Sequence, residues 1–426
     1  MKNLFTIIVL ISAIALVSPK FIGGVVETEY KSALTQLNEN PAITINSTTF
    51  NRGWYSGKVV TEMTVLIHHE EIEAINVVIE DDLSFGPVIF SDEGLKFALS
   101  YSKSKIDFTD LFIDEEIEDF IQNKIHLSVL LTFTKDIITH IRIDDVVKKV
   151  DGNKLISAKA EGKFVLENQT RLYGDFRWDG LSVTTKSEHF DIEGIQFSLD
   201  QRIQSGSYYQ GNAIATGNVN LSISTIKANS PTGNNLFLLN NLRVNAISSV
   251  KNDLMDINMN YSADKLASAG QQLEHVNVDI SLTRLDINVI QDMNTFLAGL
   301  SSDDEALSAQ NMKKIGALTT RLLANDPIFE IEDLSVETSQ GKIQSAMKVT
   351  ADKNVFDGNN VMSIMAAINA NASGKAPETF FDKLGLTPIV NYYIKQGFAI
   401  KKEGNISVQV NYTQGQLYIN GNVFQL

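Results

Sequence analysis

The sequence predicts a β-dominated α+β protein: a long, curved antiparallel sheet laid out as a meander of hairpins, a few covering helices, and a membrane helix at the N-terminus. Three observations lead there. Apolar and polar residues alternate with period two through several long tracts, turn residues punctuate those tracts, and none of the seven prolines lies between Pro87 and Pro231. Alternation places one set of side chains on each face of an extended chain. Proline removes a ladder donor, so a long tract without it suits continuous sheet.

The first element is the N-terminal segment. Met1-Lys2-Asn3 is short and basic, and Leu4 to Val17 is an uncharged run interrupted only by Thr6 and Ser12. This reads as an export signal. Ala13-Ile14-Ala15 is the one cleavage candidate, and it lies inside the apolar run. The chain turns apolar again from Phe21 to Val26, so as a helix Leu4 to Val26 spans ~30 Å, enough for a bilayer core. A retained anchor over residues 1–26 is the favoured expectation, and a removed peptide is the alternative. Lys2 on the short side favours an N-inside orientation, with residues 27–426 across the membrane as a β-rich domain. A subdivision of that domain is expected near 285–330.

Val26, Tyr30, Leu34 and Leu37 then fall on one helical face, a stalk continuing the anchor. Asn51-Arg52-Gly53 suits a turn, with Asn51 bonding its own backbone, Gly53 at positive φ and Arg52 holding a carboxylate of the same turn. Asp110 to Lys124 carries Ile113, Ile117, Phe120 and Ile121 in a helical stripe. The plainest strands are Val219/Leu221/Ile223, Met255 to Tyr261, Val276 to Leu282, Ile343 to Val349 and Ile406 to Tyr412. Turns are expected at Gly152, Gly206, Gly233, Gly341, Gly358 and Gly415. A helix over 303–324 carries Ile315, Leu318 and Leu322, with Ser302 and Glu305 at capping-box spacing and Pro327 beyond its end. Pro377 to Leu384 and Pro388 to Gln396 read as two short helices broken at Gly385.

Composition limits function more than it defines it. With 426 residues, 43% hydrophobic and 20% charged, the chain has ample core material. A net charge of −15 opposes nucleic acid as a partner, since phosphate backbones need a basic footprint. Cysteine is absent, which rules out disulfides, thiolate metal sites and a lipid-bearing cysteine.

No catalytic, cofactor-binding or metal-ligating residue is assigned. On a strand, His68 and Glu70 share one face and His69 and Glu71 the other, so neither face offers three ligands. That cluster reads as a polar strand end. The acidic runs Glu80-Asp81-Asp82, Asp114-Glu115-Glu116, Asp144-Asp145 and Asp303-Asp304-Glu305 read as solvated faces or helix N-termini. Trp54-Tyr55, Phe176-Arg177-Trp178, Tyr208-Tyr209 and Tyr392-Tyr393 read as core and cross-strand packing. No G-x-S-x-G, Walker or dinucleotide fingerprint is present.

The apolar N-terminus, the helix with Glu29-Tyr30 and the block Phe50-Asn51-Arg52-Gly53-Trp54-Tyr55-Ser56 together resemble the YdgA-like bacterial envelope proteins, a domain of unknown function. The likeness extends to Asn325-Asp326-Pro327 with Thr338-Ser339-Gln340-Gly341, to Gly397-Phe398, and to Gly415 through Gly421. The resemblance implies a Gram-negative protein held at the inner membrane and facing the periplasm. It implies no reaction. The expectation is a non-enzymatic binding module whose apolar groove takes a lipid or other hydrophobic ligand, similar in groove shape to envelope lipid-transfer proteins of the AsmA type. The alternative is a structural or assembly protein of the envelope, with the same face filled or used in a homo-oligomer. No cofactor is expected.

Overall fold

A computed structural model describes residues 2–69, 72–91, 94–108, 124–150, 152–268, 270–298 and 308–424, with side chains from Val17 onward except at 67–69, 72–73, 150 and 298. The helices used below are α1 (Lys2–Leu37), α2 (Ile287–Ala298), α3 (Ala309–Leu323), α4 (Glu378–Lys383) and α5 (Thr387–Lys395). The early strands are β1 (Ile43–Arg52), β2 (Ser56–His69), β3 (Ile72–Phe85), β4 (Val88–Ser91), β5 (Gly94–Phe97), β6 (Ser100–Phe108), β7 (Ile125–Leu131) and β8 (Ile137–Ile143). The middle strands are β9 (Val146–Val150), β10 (Asn153–Ser157), β11 (Ala160–Glu167), β12 (Arg171–Thr184), β13 (His189–Ser205), β14 (Ile214–Asn229), β15 (Asn235–Lys251), β16 (Leu254–Ser268) and β17 (Gln271–Asp286). The last are β18 (Ile328–Thr338), β19 (Gly341–Ala351), β20 (Ile368–Pro377), β21 (Ile400–Lys402), β22 (Asn405–Thr413), β23 (Gln416–Ile419) and β24 (Asn422–Phe424). The expected class is observed: strands dominate, they pair antiparallel in long ladders, and helices are few.

The chain divides into two compact units. The first comprises residues 1–146, 158–178 and 198–215, and the second comprises 147–157, 179–197 and 216–426.

In the first unit β1, β2, β3, β6, β7, β8 and β11 pair in that order. β4 and β5 form a separate hairpin. The helix foreseen as a stalk lies on this sheet instead. Val26 is buried with Val59, Leu83 and Phe85, and Ile22, Tyr30 and Phe50 pack around them. The spacing of Ile22, Val26 and Tyr30 at i, i+4 and i+8 gives α1 the apolar stripe that the sheet covers. Among the described residues no helix is long and apolar enough to cross a membrane. The side chains of the apolar run at 4–16 lie outside those described.

In the second unit β14 to β19 form a continuous meander, followed by β20, β22, β23 and β24. One of its two-residue hairpins has Gln414 at φ 51° and Gly415 at φ 74°, the two positive values that a type I′ turn needs between the Thr413 and Gln416 pair. β18 carries a bulge: Val278 faces Leu334 while Ile280 faces Ile331, so β18 takes three steps where β17 takes two. Glu332 is the extra residue, and it keeps Phe329, Ile331, Leu334 and Val336 on one face.

The helices of this unit gather at strand ends. Leu323, Phe356 and Ala367 form a small buried cluster. The described part of the 303–324 helix starts at Ala309, where the Ser308 hydroxyl accepts from the Asn311 N–H at 3.2 Å. The capping pair foreseen at Ser302 and Glu305 lies outside the described residues, as does the foreseen helix at 110–124 except for its last residue. The two C-terminal helices fall where expected, and Gly385 between them has φ 70°.

Candidate functional site

The second unit's sheet presents one apolar and one polar face, and the register lines each up across strands. Val219, Ala246, Met259, Ile280, Ile331, Met347, Ala372, Val410 and Ile419 are successive partners across β14 to β23. The next row on that face is Leu221, Val244, Tyr261, Val278 and Leu334. No side chain of either row is fully buried: the nine of the first are all half-buried, and Tyr261 and Leu334 are each 38% exposed. In a sheet packed under a second layer the central apolar positions are closed to solvent. Here the rows set apolar side chains beside one another and leave their outer surface open.

The other face is a ladder of amides and carboxylates. Asn220, Asn245, Asn260, Asp279 and Asp333 are successive partners. Asn260 Nδ2 donates to Asp279 Oδ1 at 2.5 Å, and Asn277 Nδ2 donates to Asp279 Oδ2 at 2.8 Å and to Asp333 Oδ2 at 3.1 Å. Further along, Glu330, Lys348, Asn371, Asn411 and Tyr418 line a concavity of about 670 Å³. Lys348 and Glu330 pair there at 3.1 Å, and Asn411 donates to Asn371 at 2.6 Å. These groups largely satisfy one another, which suits a solvated surface.

The first unit holds a buried polar cluster beneath α1. Tyr30 Oη donates to Asp81 Oδ2 at 2.7 Å and lies 3.2 Å from Thr61 Oγ1, and the Ser104 hydroxyl donates to Asp81 Oδ1. Asp81 is 6% exposed and Thr61 is closed to solvent. Burial, then the neighbouring Asp81 charge, raises the Tyr30 phenol well above the ordinary tyrosine value. A cavity of about 230 Å³ adjoins the cluster, with Ala33, Leu83, Ser102, Val129 and Ile137 among its walls. Glu29 and Lys135, paired at 2.8 Å, also line it.

Residues singled out in the sequence are placed as follows. Asp81, read as part of a solvated acidic run, is instead buried, because it shares a face of β3 with Val77, Ile79, Leu83 and Phe85. That period-two position was the available signal. Glu80 pairs with Lys58 at 2.8 Å, and Asp144 with His126 at 2.9 Å. Glu70 and Glu71 lie outside the described residues, as do the side chains of His68 and His69 and the runs at 114–116 and 303–305.

Arg52 reaches a carboxylate, but on α1 rather than in its own turn: Glu27 Oε2 lies 3.1 Å away. Gly53 does not take positive φ. A Cβ there would stand 2.9 Å from the Ser56 carbonyl oxygen, so close approach is what requires glycine. Gly358 likewise serves an approach, to α3, where a Cβ would stand 2.5 Å from Thr320 Oγ1 and 3.1 Å from the Gly316 carbonyl oxygen. Trp54, Tyr55, Tyr392 and Tyr393 were read as packing residues and prove exposed, at 46%, 52%, 58% and 41%.

Architecture thus defines a β-dominated antiparallel sheet protein with an N-terminal helix. The family model for a bacterial protein of unknown function (DUF945) matches residues 1–426, and the chain belongs to that family. No curated protein and no solved structure was found to match it.

Proposed function

We propose that this chain is a non-enzymatic envelope protein, held at the inner membrane by its N-terminal segment, that binds lipid or a similar apolar ligand along the open face of its second unit. The observation that carries the reading is the row from Val219 to Ile419, apolar at all nine positions and buried at none. Nine strands at a spacing of about 4.8 Å give a strip of roughly 38 Å across the ladder. One leaflet of a bilayer core is about 15 Å deep, so an acyl chain fits along the strip with room to spare. The lack of charge in the row suits hydrocarbon. The basic start and apolar run at residues 2–17 support the membrane placement.

Native mass spectrometry of the full chain in mild detergent tests it. Bound phospholipid is the expected result, and Leu221→Asp should abolish it while the protein stays folded, because the charge would sit in the strip. Lipid-free protein, together with a cooperative loss of several kcal/mol on Leu221→Asp, would show a filled core instead. A concentration-dependent dimer without lipid would show that a second copy covers the face.

A further inference from the structure

The hairpin formed by β4 and β5 is turned the wrong way round for a soluble protein. Val88 faces Phe97 and Phe90 faces Leu95 across it, all on one side. On that side Phe90 is 86% exposed, Phe97 65% and Leu95 51%. The other side carries Ile89, which is 2% exposed and packs with Ala98 and Tyr101. A two-stranded ribbon with apolar residues on both faces needs something on each.

Its surroundings indicate what. Phe90 lines one depression together with Gly53 and Ser56, which flank Trp54 and Tyr55 in the β1–β2 turn. Lys20 Nζ stands 5.0 Å from the centre of the Trp54 ring. Along α1, Val17, Phe21 and Val25 recur at i, i+4 and i+8 and are 46%, 71% and 43% exposed, on the side away from Val26. The helix therefore reaches the sheet at the end where these aromatics collect. It continues about 27 Å beyond Lys20 toward Lys2. Tryptophan, tyrosine and lysine at such a point are the residues that settle at the boundary between headgroups and hydrocarbon.

We infer that this end of the first unit rests on the bilayer surface, with Phe90, Leu95, Phe97 and the Val17/Phe21/Val25 stripe in contact with lipid. The inference rests on the membrane placement proposed above. The occupant is lipid rather than a second copy, because the exposed stripe continues into the N-terminal helix.

The absence of cysteine allows single labels on the full chain in lipid nanodiscs. An environment-sensitive fluorophore is placed at Leu95→Cys, at Ile7→Cys in the apolar run, and at the exposed Glu39→Cys just past the far end of α1. Nanodiscs containing doxyl-labelled phospholipid should quench most of the emission at Leu95→Cys and leave Glu39→Cys, about 28 Å along the helix axis from Lys20, unchanged. Quenching at Ile7→Cys without quenching at Leu95→Cys would overturn the inference and leave the anchor standing. No quenching at either would overturn both. Disulfide-linked dimers of the unlabelled Leu95→Cys protein on oxidation with copper–phenanthroline, with no quenching of the labelled protein, would assign the ribbon to a second copy and overturn the inference.

Discussion

Tyr30 Oη donates to Asp81 Oδ2 at 2.7 Å, joining a helix side chain to a carboxylate in the middle of a strand. Since Asp81 is 6% exposed, that bond and the one from Ser104 are what make a buried carboxylate tolerable. Tyr30→Phe should therefore lower the urea-unfolding free energy of the full chain by about 1–3 kcal/mol, the range for leaving a buried acceptor short of a partner. A double-mutant cycle with Asp81→Asn should show the two changes to be non-additive.

The same pair sets an alkaline limit. The Tyr30 phenol is raised in the folded state, so the stability linked to it is fully present below the ordinary tyrosine value. It is lost as pH rises from about 10 toward the folded value. Wild type should lose stability above that point more steeply than Tyr30→Phe, as followed by chemical denaturation at stepped pH.

Acid should act elsewhere. Asp136 accepts from Thr134 Oγ1 and from the Asn168 N–H, and these bonds, Thr134 first, hold its carboxyl below the usual range. A lowered folded value gives stability that is present above about 3.9 and is lost as pH falls through the folded value. Asp136→Asn should flatten that acid limb while costing stability at neutral pH, measured by the same titration.

Two neighbouring glycines in α1 should behave oppositely. A Cβ on Gly23 would lie 2.9 Å from the Phe85 ring, which is buried and fixed. On Gly24 it would lie 2.9 Å from the end of Arg52, which can swing aside. Alanine gains up to about 1 kcal/mol in a helix interior. Gly24→Ala should be neutral or stabilising, whereas Gly23→Ala should show a net loss of about 1 kcal/mol or more as the core is overpacked.

A stricter case is Gly316 in α3, where a Cβ would stand 1.9 Å from the Gly358 carbonyl oxygen. Backbone against backbone cannot be relieved by a rotamer. Gly316→Ala should cost about 3 kcal/mol despite its better helix propensity, and circular dichroism melting would measure it.

How far these features could be read in the chain depends on how local they are. Strands at 219–223, 255–261, 276–282, 343–349 and 406–412 were legible because period two is a local signal. So were the two C-terminal helices, marked by Pro388 and Gly385. Helix α2 was not foreseen, although Asp286 caps it by accepting from the Asn288 and Val289 N–H groups at 2.9 and 3.2 Å. Its short apolar run merges with the strand before it. Asp81 was misread because its flanking acids outweighed its place in the alternation. The Arg52 to Glu27 contact joins residues from separate elements, and no spacing rule reports it.

The bulge at Glu332 gives that one residue a reach far beyond its own side chain. Removing it would leave composition and charge pattern almost untouched, yet it would throw the following half of the strand out of phase. Leu334 and Val336 would then change places with the acids and hydroxyls beside them. Inheritance of the greasy strip depends as much on counting residues as on which residues are counted.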